Sequence, residues 1–400
     1  MDRRDFIRRS SMATGGLLLH DGISGALSGT DKINVGIIGC GDRGKGLIYV
    51  MNQMPEKFAV TALCEVLDFR LKEAKEFCKS PVKEYEDYRK LLDDKNIHAV
   101  VIATPLHLHF DMAADSLKSG KHVYLEKTMT YSIPQAIELV KISKSFPDLV
   151  LQVGHQTRYL PLYRKVKDMI GKGQLGKVTQ IDCRYDRNGS WRRPVPDPSL
   201  ERAINWRMYK EYSGGLVAEL LSHQMDFIHW AFDTHPDEVF STGGIDFYKD
   251  GRETYDNVQV MLRYNKSEMV GNFGSMCANS RDGFIFRIKG NKGTVELLFD
   301  DGLYYPEPET KKELMMVDAV SSATKIQWTK GGGIPIMTEP MKDSTWYAVD
   351  EFHTCIQQGS IPLSNVVTGG TTAVCVHLAN EALYNRNRQE WKPEYNFQFF

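Results

Sequence analysis

The sequence predicts an α/β fold: a doubly wound parallel sheet followed by a second, α+β domain with an open, mainly antiparallel sheet. Three observations predict it. Between residues 32 and 154, near-continuous apolar runs alternate with amphipathic helical patterns, as strands covered on both faces do. After Gly154 the pattern changes to the period-two alternation of half-exposed strands. The 400 residues suffice for two well-developed cores. The organisation that follows is a tail at 1–30, a first domain at 31–154 and a second at 155–400.

In the first domain, apolar runs place strands at 33–38, 59–64, 99–104, 123–126 and 149–153. Helical spacing between them covers 45–54, 69–78, 88–93, 111–119 and 134–145. The second domain opens with a helix at 162–172, a strand at 178–185 and a polar, arginine- and proline-rich loop at 187–205. A helix at 216–232 and alternating runs at 257–264, 268–276, 284–288 and 294–299 follow. Helices at 345–357 and 371–385 close the chain, and 302–342 reads as a long irregular loop.

Directly after the first strand stands Gly39-Cys40-Gly41-Asp42-Arg43-Gly44, and Glu65 ends the second strand 21 residues beyond the last glycine. Taken alone the glycines are an ordinary turn. Between strand and helix, with an acid about 20 residues on, they are a dinucleotide-binding (Rossmann) fingerprint. The first glycine permits a tight turn, the second lets backbone amides approach a pyrophosphate, and the third lets helix and strand pack closely. The helix N-terminus offers unpaired N–H groups to the phosphates. Glu65 would accept hydrogen bonds from an adenosine ribose and repel a 2′-phosphate, which favours NAD over NADP. Ligands of such folds collect at the carboxyl ends of the strands. Thr104-Pro105-Leu106-His107-Leu108-His109 and Glu126-Lys127-Thr128 fall there too.

A net charge of −1 with 25% charged residues gives no electrostatic case for nucleic acid or an acidic membrane surface. Seven cysteines without a Cys-x-x-Cys indicate neither a zinc knuckle nor a disulfide framework. No stretch reaches the ~20 apolar residues of a membrane span. The tail carries Arg3-Arg4, then Phe6-Ile7, a modest apolar stretch at 12–19 and a Gly/Ser/Ala-rich segment with Ala26-Leu27-Ser28. That is the layout of a twin-arginine export signal, a route for proteins already folded around a cofactor. It predicts a periplasmic or exported protein; a basic tail on a cytoplasmic one is the alternative.

In Gly214-Gly215-Leu216-Val217-Ala218-Glu219-Leu220-Leu221-Ser222-His223, Glu219 and His223 stand four apart, so a regular helix gives them one face, close to Asp226 and Trp230. An acid and an imidazole one turn apart suit proton transfer, and they equally suit an ordinary satisfied pair. The sequence from Lys32 to about Trp391 resembles the glucose–fructose oxidoreductase/inositol dehydrogenase (Gfo/Idh/MocA) family. The resemblance rests on the glycine fingerprint, Ala-Thr-Pro-x-His-x-His, Glu-Lys-Thr, and Gly-Gly with Glu-x-x-x-His.

The resemblance implies an NAD-dependent sugar or polyol oxidoreductase. Lys127 would lie between the nicotinamide ribose and the substrate hydroxyl, with Thr128 replacing the family's proline. His223 would be the catalytic base, and Glu219, where the family usually has Asp, would orient or charge-balance the pair. Thr104, Pro105, His107 and His109 match the loop along the cofactor, beside Gly39, Gly41, Asp42, Arg43, Gly44, Glu65 and Glu126. The metal-like spacing of His107/His109 and Glu219/His223 is then coincidental, and no metal is expected. Arg158, Tyr159, Trp191, Trp206 and Arg207, on loops near the presumed cleft, suit a carbohydrate hydroxyl, with C3 as the candidate position. A glycosidase that keeps NAD bound through a transient C3 oxidation and a non-catalytic dinucleotide-binding protein are the rivals. A homo-oligomer through the second sheet is expected.

Overall fold

Five short, apolar strands and one charged edge strand carry the first half of the molecule, the apolar ones buried by the helices between them. The computed structural model describes residues 32–281, 283–320 and 328–397, without the side chains of 316–320. The export-signal expectation at 1–30 lies outside the described residues.

The strands are β1 (Ile33–Ile38), β2 (Phe58–Cys64), β3 (Lys83–Tyr85), β4 (Ala99–Ile102), β5 (His122–Leu125) and β6 (Leu151–Val153). They pair in parallel in the order β3-β2-β1-β4-β5-β6, with β1 central and registered against both β2 and β4. That is the doubly wound order, with its crevice between the ends of β1 and β4. β3 was not expected. Its Lys-Glu-Tyr has no apolar alternation, and a charged three-residue edge strand is one way a sheet blunts its edge. Strands β4 and β5 end at Ile102 and Leu125, which leaves Thr104 and Glu126 in the loops beyond the sheet.

The second sheet comprises β7 (Val178–Tyr185), β8 (Glu238–Gly244), β9 (Asn257–Tyr264), β10 (Met269–Met276), β11 (Phe284–Gly290), β12 (Gly293–Leu297), β13 (Gly302–Pro306), β14 (Ile334–Pro335) and β15 (Gln389–Glu390). Their order is β14-β13-β12-β11-β7-β10-β9-β8-β15, antiparallel throughout except for β7 beside β10. Burial alternates along β9, β11 and β12, so one face is packed and the other open.

The expected loop at 302–342 is corrected. It contains β13, the helix Pro308–Val320 and β14, whose pairing to β13 extends the sheet. The helix starts on a proline and a polar Glu-Thr-Lys-Lys-Glu run, so its apolar residues form no recognisable stripe.

The sheets divide the chain near Gly154, but its last helices return to the first half. Helix Ser344–Gln358 packs on Asp42–Met51, and Val366–Asn385 packs on both Ile133–Lys144 and β8. The Val153 N–H donates to Ser364 O at 2.8 Å. Among the described residues, no helix is long and apolar enough to cross a membrane.

Candidate active site at the joint of the two sheets

The glycine loop has the shape of a phosphate cradle. Gly39 sits at φ +92°, and a Cβ there would lie 2.7 Å from the Ala103 carbonyl carbon. A Cβ on Gly44 would lie 2.1 Å from Gly39 O. Both positions therefore need glycine for the fold itself. Gly41 differs, since the nearest atom to a Cβ there is Arg70 Nη1 at 3.9 Å. Its position is not forced by packing and leaves room for a ligand, and it caps the N-terminus of helix Asp42–Met51. The Glu65 carboxylate accepts from the N–H groups of Cys40 (2.9 Å), Val66 (2.8 Å) and Leu67 (3.1 Å). Three of its roughly four lone-pair sites are thereby used, and one remains for a ribose hydroxyl. These residues fit a dinucleotide.

Other residues expected beside the cofactor hold one another. Arg43 donates from Nε to Glu126 Oε1 at 2.7 Å and from Nη1 to Thr345 Oγ1 at 3.1 Å, and the carboxylate holds the half-buried guanidinium in its charged form. Asp42 meets Arg193 at 2.5 Å, so the 187–205 loop reaches the glycine loop. The buried His109 ring spans Thr128 O (2.8 Å from Nδ1) and Thr104 O (3.1 Å from Nε2). It thus clamps the loop after β4, which includes Pro105, to the turn after β5. His107 packs its ring against Tyr212 at 4.7 Å.

That turn carries Lys127, whose peptide bond to Thr128 is cis. Lys127 Nζ donates to Glu219 O at 2.9 Å and to Ala218 O at 3.3 Å. Ala218 O also accepts from Ser222 Oγ at 2.7 Å and Thr128 Oγ1 at 3.2 Å. Both carbonyls lie where the predicted regular helix is interrupted: Val217–Leu221 forms a π-helical turn ahead of the α-helix Ser222–Phe232. An ammonium has three N–H donors, so one of Lys127 remains for a ligand. Burial pushes the Lys127 amine below its ordinary value, partly opposed by Glu219 and Glu126.

The π turn also corrects the expected Glu219–His223 pair. Glu219 gives its carboxylate to Arg207 Nε at 2.7 Å, which holds it ionised although burial opposes that. His223 instead faces His155, ring centroids 6.2 Å apart. Burial, then the charge of Lys127, holds the His223 imidazole well below its ordinary value. Glu219 remains a nearby negative charge for Lys127 rather than an orienting partner for His223.

Two residues assigned to substrate are instead structural. Arg158 is fully buried and grips Asp226 with Nε–Oδ2 at 2.6 Å and Nη2–Oδ1 at 2.7 Å. Asp226 also accepts from Thr372 Oγ1 at 3.1 Å and lies 3.3 Å from His155 Nδ1. Tyr159 is buried, and its hydroxyl accepts from the Ser364 N–H at 3.0 Å. Such a paired charge is costly to break, which suits a joint between segments far apart in sequence. Arg207 stacks on Trp206 at 4.3 Å, and Trp191 lines a narrow crevice with Arg207 and Glu219.

The larger cavity, about 490 Å³, lies elsewhere. His223 lines it with Gln156, Thr157, Tyr185, Phe284 and Phe299. Sequence reasoning missed these five. Gln156 and Thr157 were within reach, since they follow β6 at the same carboxyl edge that pointed to Thr104 and Glu126. Among the described residues, no cluster of three or more His, Cys, Asp or Glu is arranged to hold a metal ion.

The glycine geometry separates fold from binding. Gly41→Ala is expected to leave the urea midpoint within error and to weaken NAD binding by tenfold or more in calorimetry. Gly44→Ala is expected to lower the midpoint itself. Equal affinity for NAD in Gly41→Ala would contradict the cradle.

Residues 33–155 match the model described as oxidoreductase family, NAD-binding Rossmann fold, and residues 163–296 match the GFO/IDH/MocA C-terminal domain. A myo-inositol 2-dehydrogenase of Thermotoga maritima is 28% identical over 275 residues, 66% of this chain and 74% of that protein. An inositol 2-dehydrogenase/D-chiro-inositol 3-dehydrogenase of Lactiplantibacillus plantarum is 27% identical over 197 residues, 49% of this chain and 51% of that one. The chain spans 38%, 51% and 58% of the length of three curated relatives it matches. A solved levoglucosan dehydrogenase, in complex with NADH and levoglucosan, shares the fold with a TM-score of 0.73 at 19% identity, over 90% of this chain and 99% of that one. The two family models cover one sheet and most of the other, and the chain belongs to the Gfo/Idh/MocA family of oxidoreductases, with an NAD-binding Rossmann domain as its first half.

Proposed function

We propose that this protein oxidises a secondary hydroxyl of a sugar, polyol or glycoside with NAD as hydride acceptor. The observation that carries the reading is that Lys127, at the edge of the Rossmann sheet, is bonded to the turn that leads into His223, a lining residue of the large cavity. The relatives named as inositol dehydrogenases and the levoglucosan dehydrogenase fold support the substrate class.

Bound NAD supplies the hydride acceptor. His223 takes the hydroxyl proton, because its depressed basicity keeps it unprotonated at neutral pH. The remaining N–H of Lys127 donates to the same oxygen and stabilises the charge that develops as the proton leaves. Carbon loses a hydride, oxygen loses a proton, and the product is a ketone with a protonated His223. Glu219, held by Arg207, balances the charge of Lys127. C3 of a hexose ring is the position we propose.

The test is a sugar, polyol and glycoside panel followed at 340 nm and by mass spectrometry. Net NADH formation with a keto-sugar product is expected. Release of an aglycone without net reduction would establish the redox-cycling glycosidase instead, and binding of NAD with no turnover on any substrate would leave a dinucleotide-binding protein. His223→Gln and Lys127→Met should each lower kcat about 10²–10⁴-fold. Because the His223 pKa lies below 6.5, oxidation should stay flat as pH falls through 6.5 and decline only below it. Lys127 lies below 10.5, so the alkaline limb should begin before that value.

We also propose export by the twin-arginine route and self-association through the open sheet face. Phe240 and Met261, directly paired across β8 and β9, support the latter, being 41% and 49% exposed. Mature protein in the periplasmic fraction, sedimenting as an oligomer that Met261→Lys dissociates, is the expected result. A cytoplasmic or monomeric protein would refute the corresponding proposal.

A further inference from the structure

The lining of the large cavity is of two chemical kinds. Among its polar residues, the side-chain atoms His223 Nδ1, Gln156 Oε1 and Thr157 Oγ1 have no hydrogen-bond partner among the described residues. Buried polar atoms are rarely left so, and three on lining residues mark a polar stretch of the wall. Among its aromatic residues, Phe284 and Phe299 stack at 4.3 Å with a 28° interplanar angle, and Tyr185 meets each edge-on, at 5.3 Å and 5.4 Å. Phe284 is buried, but the outer ring, Phe299, is 51% exposed, an aromatic surface rimming a cleft rather than closing a core.

Of the three charged lining residues, Lys342 and Asp343 are engaged within the protein, and Asp300, next to Phe299 in the chain, is exposed. Lys342 Nζ lies over the Trp346 ring at 3.4 Å, and Asp343 accepts from the Thr345 N–H at 2.8 Å as a helix cap. The lining includes none of the residues of the three dinucleotide loops. At about 490 Å³ it falls within the roughly 300–1,000 Å³ of clefts that bury drug-sized ligands, well beyond one polyol ring.

We infer that Tyr185, Phe284 and Phe299 form a second subsite, which takes the apolar ring face of the group attached to the oxidised sugar. The substrate is then a glycoside rather than a free monosaccharide or inositol. The ring being oxidised meets His223, Gln156 and Thr157; its aglycone or second sugar stacks on the aromatic platform. The inference rests on the dehydrogenase reading of the same site.

The test uses the full-length protein with NAD and matched methyl hexopyranosides, phenyl hexopyranosides and disaccharides in both anomers. The phenyl glycoside or the disaccharide should exceed the methyl glycoside at least tenfold in kcat/KM, mainly through KM, and the larger of the two gains identifies the natural attachment. In Phe299→Ala that ratio should collapse at least fivefold; in Phe77→Ala, an exposed ring on the far side of the Rossmann domain, it should not change. Equal kcat/KM for methyl and larger glycosides, or a ratio that survives Phe299→Ala, would overturn the subsite while leaving the dehydrogenase reading intact. Calorimetry of the same glycosides on the NADH-loaded protein separates the two claims. A Phe299-dependent preference in binding, with no turnover, would keep the subsite and refute the dehydrogenase.

Discussion

The site depends on one amine. Lys127 leaves the carboxyl edge of the parallel sheet and donates to two carbonyls of the Val217–Leu221 π turn. Those carbonyls lie where the π turn interrupts the helix, and Lys127, Thr128 and Ser222 all converge on Ala218 O. The dinucleotide half and the half that carries His223 are thereby fixed to one another at the point where, in the proposed reaction, a hydride and a proton leave adjacent atoms. Burial lowers the basicity of both Lys127 and His223, and the two positive charges oppose each other, so an unprotonated imidazole beside a charged amine is the favoured arrangement.

Around that point the structure adds stiffness. The Arg158–Asp226 pair, closed by Thr372 and adjoining His155, joins the segment after β6, the His223 helix and the last long helix. The His109 ring fastens the loops after β4 and β5, and Arg43 fastens the first helix to Glu126 and Thr345. Loops at the edge of a sheet are normally its most mobile parts. Here each is tied by a buried polar contact, which is what a site needs when an error of an ångström in position costs much of the rate.

The parallel sheet and the glycine turn at its first strand were legible in the sequence because they rest on local signals, the same kind that singled out Lys127 and His223 as candidates. Apolar period, glycines at fixed spacing and a strand-end position do not depend on what the rest of the chain does. The Glu219–His223 pair was misread because i, i+4 spacing assumes an unbroken α-helix, and nothing local marks a π turn. Arg158 and Tyr159 were misassigned because charge and aromaticity announce a ligand and a buried partner equally. Only the fold shows that Asp226, 68 residues on, is the partner of Arg158. The aromatic platform was invisible for the same reason, since Tyr185, Phe284 and Phe299 meet only once β7, β11 and β12 are laid side by side.

The most direct measurement is a crystal structure of the protein with NADH and a substrate glycoside. The account predicts a ring hydroxyl oxygen within hydrogen-bond distance of both Lys127 Nζ and a His223 ring nitrogen, with its carbon about 3–3.5 Å from C4 of the nicotinamide. A sugar seated in the Trp191–Arg207–Glu219 crevice, out of reach of His223, would contradict it.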